Sequence, residues 1–196
     1  MSTLCILIPS KNRKTLLARC LQSIFNQTEY PDEIIVVNDG SSDGTKYYLE
    51  TLKDKENLKL FNREVSGGVN VARHQGIKMS SSEWIATLDD DDEFFPDAVS
   101  KIKKKLATVP ADTLIVFFNS VIVRNDGIKD GGFMFLNEEY YDLNYTEMMT
   151  KFRIKGDCKP VFNKKIFDLG YRFPESVNGL ESYLFYLAAR DGVGIR

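Results

Sequence analysis

The residues with most chemical potential lie in LDDDDEFFP, Leu88 to Pro96. Five acidic residues, Asp89 to Glu93, follow an apolar run and precede two phenylalanines and a proline. Two like charges ~4 Å apart repel by about 1 kcal/mol in water and about 4 kcal/mol at an effective dielectric of 20. Such a run must be hydrated or given a cation. Helix capping accounts for one carboxylate, or two, because a helix N-terminus favours anions; it does not account for five. Hard divalent cations take oxygen ligands, and Mg²⁺ is commonly held by one or two carboxylates together with substrate phosphates. An Asp-x-Asp at the end of a strand offers one carboxylate to a metal and others to nearby hydroxyls. No GxxxxGK(S/T) is present, so a P-loop is excluded, and the GxGxxG dinucleotide fingerprint is missing from the first turn. What remains is a metal-bridged diphosphate with an unusual glycine pattern.

Three more groups of polar residues follow apolar runs. They are Pro9-Ser10-Lys11-Asn12, Asn38-Asp39-Gly40-Ser41, and Ser66-Gly67-Gly68 leading to Arg73. Each also has a plain reading. The first fits a strand-to-helix turn, the second capping chemistry, and the glycine pair a turn. Arg73 fits a solvated surface position. His74, the only histidine, reads as a surface or packing residue, and Lys103-Lys104-Lys105 as the solvated face of an amphipathic helix.

The elements that carry these groups alternate. Leu4 to Ile8 is a compact apolar run; Leu16, Leu17, Cys20, Leu21, Ile24 and Phe25 then recur at helical spacing. EIIVVN, Glu33 to Asn38, is β-branched and continuous, as in a strand buried on both faces. Tyr48, Leu49 and Leu52 mark a second helix, Leu58 to Phe61 a third strand, and Val69 to Ile77 a third helix. EWIATL, Glu83 to Leu88, is a fourth strand that delivers the acidic run at its C-terminal end. Pro96 suits the first turn of a helix bearing Val99, Ile102 and Leu106. The order βαβαβαβα implies an α/β fold with a mainly parallel sheet flanked by helices. Ligands of such sheets bind beyond the carboxyl ends of the strands, and all four polar groups fall on that edge. After about residue 112 the pattern becomes strand-rich, with NDG at 125–127 as a hairpin turn. Helices are expected near Tyr145–Phe152 and Gly179–Arg190. One domain is expected, with a nucleotide-type half over 1–112 and a mixed half over 113–196. An unfinished sheet at GVGIR is compatible with the pattern, and whether the native chain continues past Arg196 is left open by the sequence.

Composition sets bounds. With 196 residues, 43% hydrophobic and 28% charged, the chain is ordinary for a globular protein. A formal net charge of −2 gives no electrostatic case for nucleic acid. Cys5, Cys20 and Cys158 are odd in number and without a CxxC, which suggests neither a zinc site nor a disulfide framework. Cys5 and Cys20 fall on apolar positions and read as core residues. The amino terminus has no basic stretch before its short apolar run, and no apolar stretch approaches the ~20 residues of a membrane span. A cytoplasmic location is expected, with contact at the inner face of the membrane left open.

In this order and spacing the motifs resemble those of the family 2 glycosyltransferases of the GT-A fold. ILIPSKNR is similar to that family's IIIPxYNR, VNDGSSDGT to its VDDGSxDxT, SGGVNVARHQGI to its NxGxxxARNxGI, and LDDDDEFFP to its LDxDDxxxP. The resemblance is strong over residues 3 to 110. Beyond that, KPVFNKKIFDLGYRFPES resembles the segment before the family's acidic catalytic motif, and NGLESYLFYLAARDG resembles that motif, with Glu181-Ser182 in place of its Glu-Asp pair. The resemblance implies a nucleotide-sugar transferase that inverts the anomeric centre, passing a sugar from a UDP-sugar to a saccharide or lipid-linked acceptor. By residue, it implies Pro9 and Lys11 at the base and ribose, Asp39 hydrogen-bonded to the base, Arg73 holding the nucleotide, Asp89 and Asp90 facing the ribose and diphosphate, and Asp91 binding Mn²⁺ or Mg²⁺. Lys11 stands where the family often carries an aromatic. Ser182 cannot act as the base, which leaves Glu181 as the substitute or as a residue that positions the acceptor. Two other functions stay open: a sugar-nucleotide-binding module without transferase activity, and a sugar-phosphate nucleotidyltransferase, against which the absence of a GxGxR loop counts.

Overall fold

The computed structural model describes residues 2–124, 127–130, 158–176 and 181–195. The first half alternates as its pattern predicts: β1 (Leu4–Ser10), α1 (Lys14–Phe25), β2 (Glu33–Asp39), α2 (Thr45–Glu50), β3 (Leu58–Arg63), α3 (Val69–Met79), β4 (Trp84–Thr87) and α4 (Ala98–Leu106). Then come β5 (Thr113–Asn119), β6 (Val121–Arg124), β7 (Gly127–Asp130), β8 (Cys158–Asn163), α5 (Lys165–Asp168), α6 (Glu181–Arg190) and β9 (Gly194–Ile195). The expected Tyr145–Phe152 helix lies outside the described residues. β6 and β7 pair antiparallel, with Arg124 opposite Gly127; residues 125 and 126 of the expected NDG turn lie outside the described residues.

One seven-stranded sheet runs through both halves in the order β3-β2-β1-β4-β8-β5-β9. The first four strands are parallel. β8 inserts antiparallel to both β4 and β5, and β9 runs parallel to β5. The sheet is therefore mixed, though mainly parallel. From β1 the chain steps outward to β2 and β3, then returns to lay β4 on the other side of β1. That reversal makes a crevice at the carboxyl ends of β1 and β4, where open α/β sheets take their ligands.

Every residue of β1 and β2 is buried, because helices cover both faces. The period of two divides them. Leu4, Ile6 and Ile8 pack with Leu17, Ile24, Val99 and Ile102 under α1 and α4. Cys5 and Leu7 pack on the opposite face with Ala72, Ile77, Phe162, Phe173 and Phe185. Both cysteines are core residues, as expected. A fully buried Leu or Ile contributes about 1.5–3 kcal/mol by this route. α3 lies directly against β1 at Gly76, where a Cβ would come within 2.0 Å of Leu7 Cδ1. Only glycine permits that approach, and it sets the position of Arg73 one turn earlier.

Two local expectations are corrected. Pro96 sits in the turn before α4 rather than in its first turn; its carbonyl accepts from Thr28 N–H, and Asp97 occupies the N-cap position. Lys103 is not on a solvated face. Its side chain is only 19% exposed and reaches the Tyr30 carbonyl, Glu29 and Asp32. Among the described residues no helix is long and apolar enough to cross a membrane.

Candidate active site

The carboxyl edge of the sheet is built loop by loop. Beyond β1, Asn12 takes the left-handed conformation (φ 54°) that asparagine tolerates better than most residues. Its N–H donates to Ser41 Oγ at 2.9 Å, and its side-chain oxygen accepts from Ser42 N–H at 2.7 Å. The loops after β1 and β2 are stitched together this way. Gly40 (φ +69°) lets the second loop pass the third: a Cβ there would lie 2.7 Å from Ser66 N.

Asp39 closes the arrangement. It is 3% exposed and accepts three hydrogen bonds, from Ser66 O–H at 2.6 Å, Gly67 N–H at 2.9 Å and Gly68 N–H at 2.8 Å, with the Arg63 guanidinium paired to it at 2.8 Å. Burial pushes its pKa up, but the Ser66 hydroxyl, the two amides and the Arg63 charge outweigh burial and hold it below the usual carboxylate range. Lys11 Nζ reaches the same Ser66 Oγ at 3.0 Å.

The acidic run finds its cations within the protein. Arg73, 3% exposed rather than solvated, donates from Nη2 to Asp89 at 2.9 Å and from Nη1 to Asn70 at 3.0 Å. Arg13 bridges Asp90 (3.1 Å) and Asp91 (2.8 Å). Lys159 of β8 bridges Asp92 (2.5 Å) and Asp89 (3.4 Å). Arg19 pairs with Glu93. Among the described residues, five carboxylates thus meet four cations and one negative charge is left over. Burial would push the Lys159 pKa down, but Asp89 and Asp92 hold it above the ordinary lysine value. Asp90 goes the other way. It is 4% exposed, and burial raises its pKa despite the Ser10 hydroxyl at 2.6 Å and Arg13. Asp91 stays open to solvent, with 46% of its side chain exposed.

A cleft of about 740 Å³ lies over this edge, within the range of small-molecule sites. Pro9, Lys11, Asp39, Arg73, Asp89, Asp90 and Asp91 all line it. Glu181 opens α6, but its side chain lies outside the described residues; Ser182 beside it is exposed. The cleft also contains Arg13, Glu175 and Ser176, which the sequence reading gave no role. Arg13 and Glu175 belong to the motif-like stretches ILIPSKNR and FPES, so a signal was there to be used. Lys159 opens the same stretch, KPVFNKKIFDLGYRFPES, but nothing local ties it to the acidic run, which it meets from 70 residues away. His74 is covered rather than at the surface, with 11% of its side chain exposed. Its Nε2 accepts from Phe173 N–H at 3.1 Å, and its Nδ1 lies 2.6 Å from Glu175 Oε1. A second cleft of about 810 Å³ meets the first at Asp91 and is walled by Phe94, Phe95, Phe118, Val121 and Lys159.

The residues present fit a hard divalent cation. The donors around the cleft are carboxylate oxygens, one of them exposed at Asp91. Among the described residues no group of three His, Cys, Asp or Glu converges as a metal cage. The donor set therefore suits the mode in which one or two carboxylates share the ion with substrate phosphates.

Known proteins resemble this chain in sequence and fold. The chain is 32% identical over 188 residues to the GalNAc(5)-diNAcBac-PP-undecaprenol beta-1,3-glucosyltransferase of Campylobacter jejuni, covering 94% of this chain and 59% of that protein. It is 28% identical over 163 residues to the glycosyltransferase GlyA of Streptococcus pneumoniae, covering 83% of this chain and 20% of that one. The chain thus spans about three-fifths and one-fifth of the length of these two relatives. Among solved structures, S. aureus TarS 1-349 in complex with UDP superposes with a TM-score of 0.77 at 20% identity, over 99% of this chain and 57% of that one. The mannosyltransferase PcManGT from Pyrobaculum calidifontis, in complex with GDP-Man and Mn²⁺, gives 0.71 at 18% identity, over 99% of this chain and 54% of that one. These likenesses show the fold, of the GT-A type. The sequence pattern described as glycosyl transferase family 2 matches residues 5–170, more than four-fifths of the chain, and to that family the chain belongs.

Proposed function

We propose that this chain is a GT-A domain of a metal-dependent inverting glycosyltransferase that moves a sugar from a UDP-sugar to a saccharide or lipid-linked acceptor. The observation that carries this reading is the convergence of Pro9, Lys11, Asp39, Arg73, Asp89, Asp90 and Asp91, from four separate strand ends, around one cleft at the switch point of the sheet. The lipid-linked glucosyltransferase and the UDP and GDP-mannose complexes among its relatives support it.

In this reading Pro9 and Lys11 flank the base and ribose. Asp39 already accepts three hydrogen bonds and is paired with the Arg63 charge, which leaves one lone-pair site of the carboxylate for a nucleobase N–H. Arg73 fixes Asp89 from below, and Asp89 and Asp90 face the ribose and diphosphate. Asp91 would hold Mn²⁺ or Mg²⁺. Bound there, the ion would neutralise the departing diphosphate as a Lewis acid. The acceptor would approach by the second cleft, because it meets the first at Asp91. Residues 1–112 then form the nucleotide-sugar half and 113–196 the acceptor-side half. Glu181 is proposed as the general base, a role worth about 10²–10⁴-fold.

Calorimetry with UDP and Mn²⁺ tests the reading. Binding that requires the metal is expected; no binding with metal present would overturn it. One observation favours a second reading, a binding module without transfer: Ser182 occupies the place of the family's aspartate. A wild type that binds UDP–Mn²⁺ yet transfers to no acceptor, and gains transfer with Ser182→Asp, would establish that alternative.

A further inference from the structure

We propose that Glu175 contacts the transferred sugar and discriminates among donor sugars, and that His74 is the positioning residue that aims it. The inference rests on the donor-site reading above and deepens it.

The segment Phe173–Ser176 is held to α3 by three side chains in sequence. Asn70 Nδ2 donates to the Pro174 carbonyl at 2.8 Å. The Arg73 guanidinium lies over the Phe173 ring, 5.6 Å from its centroid. His74 takes the Phe173 N–H on Nε2 at 3.1 Å, which leaves the neutral ring's proton on Nδ1 to donate to Glu175 Oε1 at 2.6 Å. His74 is largely covered, with 11% of its side chain exposed, while the Glu175 side chain is 58% exposed and lines the donor cleft. A nearly buried imidazole is thus committed at both nitrogens to presenting one open carboxylate. A covered imidazole N–H needs an acceptor in any case; packing does not require that the acceptor be an open carboxylate lining the cleft.

The chemistry that such a carboxylate recognises is a pair of hydroxyls. The His74 bond occupies one lone pair of Oε1 and leaves the outer oxygen to accept O–H donors. The other carboxylates lining the cleft are already engaged: Asp39 by three hydrogen bonds and the Arg63 charge, Asp89 by Arg73 and Lys159, and Asp90 and Asp91 by Arg13. Glu175 is the lining carboxylate whose described partner is an imidazole that accepts on its other nitrogen, and no Lys or Arg is paired with it among the described residues. Nucleotide recognition calls on none of this, because a diphosphate is repelled by a bare carboxylate. A sugar, neutral and rich in hydroxyls, is not. Arg73 connects this clamp to Asp89, so the residues facing the sugar and the diphosphate are both held by side chains of α3.

The test is the ratio of affinities for a UDP-sugar and for UDP, measured with Mn²⁺ on wild type, Glu175→Gln and His74→Asn. UDP-glucose, UDP-galactose and UDP-N-acetylglucosamine serve as probes. Glu175→Gln keeps an acceptor for the His74 proton and so keeps the segment in place. The expected result is a UDP Kd within twofold of wild type and a loss of about tenfold in affinity for the preferred UDP-sugar, the scale of one charge-assisted hydrogen bond. His74→Asn is expected to move the same ratio in the same direction, whereas a merely structural role would weaken UDP and UDP-sugar alike. Unchanged ratios in both variants, with UDP bound normally, would overturn the assignment of Glu175 and leave the donor site intact. Wild type that fails to bind UDP at all would overturn the donor site itself and this inference with it.

Discussion

The two ends of β2 each bury a carboxylate, and they put it to different uses. At the amino end Glu33, 4% exposed, accepts from the hydroxyls of Ser80, Ser81 and Ser82, from Ser81 N–H at 3.1 Å and from Lys59 at 2.5 Å. At the carboxyl end Asp39 accepts from Ser66, Gly67 and Gly68 and pairs with the Arg63 charge. Both tie β2 to a loop beside α3, one at each end of that helix. Only Asp39 lies against a cleft. The amino edge uses buried charge to close the fold. The carboxyl edge uses the same device to hold loops open around a ligand, and tolerates at Asp90 a carboxylate whose burial costs more than its partners return. The edges should therefore respond oppositely to mutation: function lost without stability at one, stability lost without function at the other.

Asp91→Asn is the largest expected effect at the carboxyl edge. Metal-dependent UDP binding is expected to vanish and transfer to fall by about 10²-fold or more, while the melting temperature stays put because the side chain is half exposed. Normal UDP–Mn²⁺ binding by this variant would move the metal role to another carboxylate.

Glu33→Gln reverses the pattern. Burial alone would raise the Glu33 pKa; the bonds from Lys59, Ser80 and Ser82 overcome it and hold the pKa at about 2, against 4.5 for an ordinary glutamate. A shift of that size corresponds to about 3 kcal/mol. Because the folded pKa is depressed, the unfolded chain binds the proton more readily, and the stabilisation is full above pH 4.5 and lost as pH falls toward 2. The stability gap between wild type and Glu33→Gln should be about 3 kcal/mol at pH 7 and less than half of that at pH 3, measured by urea unfolding. A gap that does not narrow would mean that Glu33 acts through shape rather than charge. UDP affinity should be unchanged in the folded variant.

The sequence exposes one edge far better than the other, for a physical reason. Asp39, Asp89, Asp90 and Asp91 stand out because turn formers and acidic clusters interrupt apolar runs, and the βαβ order alone puts strand ends on one side. Glu33 gives no such signal. A glutamate at a strand start, and three serines after a helix, read as solvated loop chemistry until the parallel pairing of β1 with β2 and β4 brings them within reach. The same holds for Lys159, whose strand inserts antiparallel between β4 and β5, a placement that periodicity does not encode. Helix faces and core residues were legible because the 3.6 and 2.0 periods are local. The cations that balance the acidic run were not, because Arg13 and Arg73 become its partners only once the switch point brings β1 and β4 side by side.

Asp90→Asn probes the boundary between the two uses. A carboxyl whose folded pKa is raised binds its proton more tightly when native, so its ionised form detracts from stability at neutral pH. The asparagine keeps an acceptor for the Ser10 hydroxyl. The melting temperature is expected to change by less than half as much as in Glu33→Gln, while UDP–Mn²⁺ affinity drops by about tenfold through the loss of the anchor for Arg13. A melting temperature that falls as far as in Glu33→Gln would erase the contrast between the edges.

Lys59→Gln carries the smallest expected effect and the sharpest test of what supports the amino edge. Lys59 is half exposed, with 48% of its side chain open to water. Its ammonium is therefore screened, and pairs of that kind contribute about 0–1 kcal/mol. The serine hydroxyls and the Ser81 amide remain in place to solvate Glu33 when the lysine is removed. The expected loss is about 1 kcal/mol or less, with UDP affinity unaltered. If Lys59→Gln instead costs as much as Glu33→Gln, the lysine and not the hydroxyl cage holds the buried carboxylate, and the amino edge would depend on an ion pair as the acidic run does. Added salt then separates the cases: 0.5 M NaCl should narrow the wild-type–Lys59→Gln gap if the ion pair is what counts, and leave the wild-type–Glu33→Gln gap nearly unchanged if the hydroxyls are.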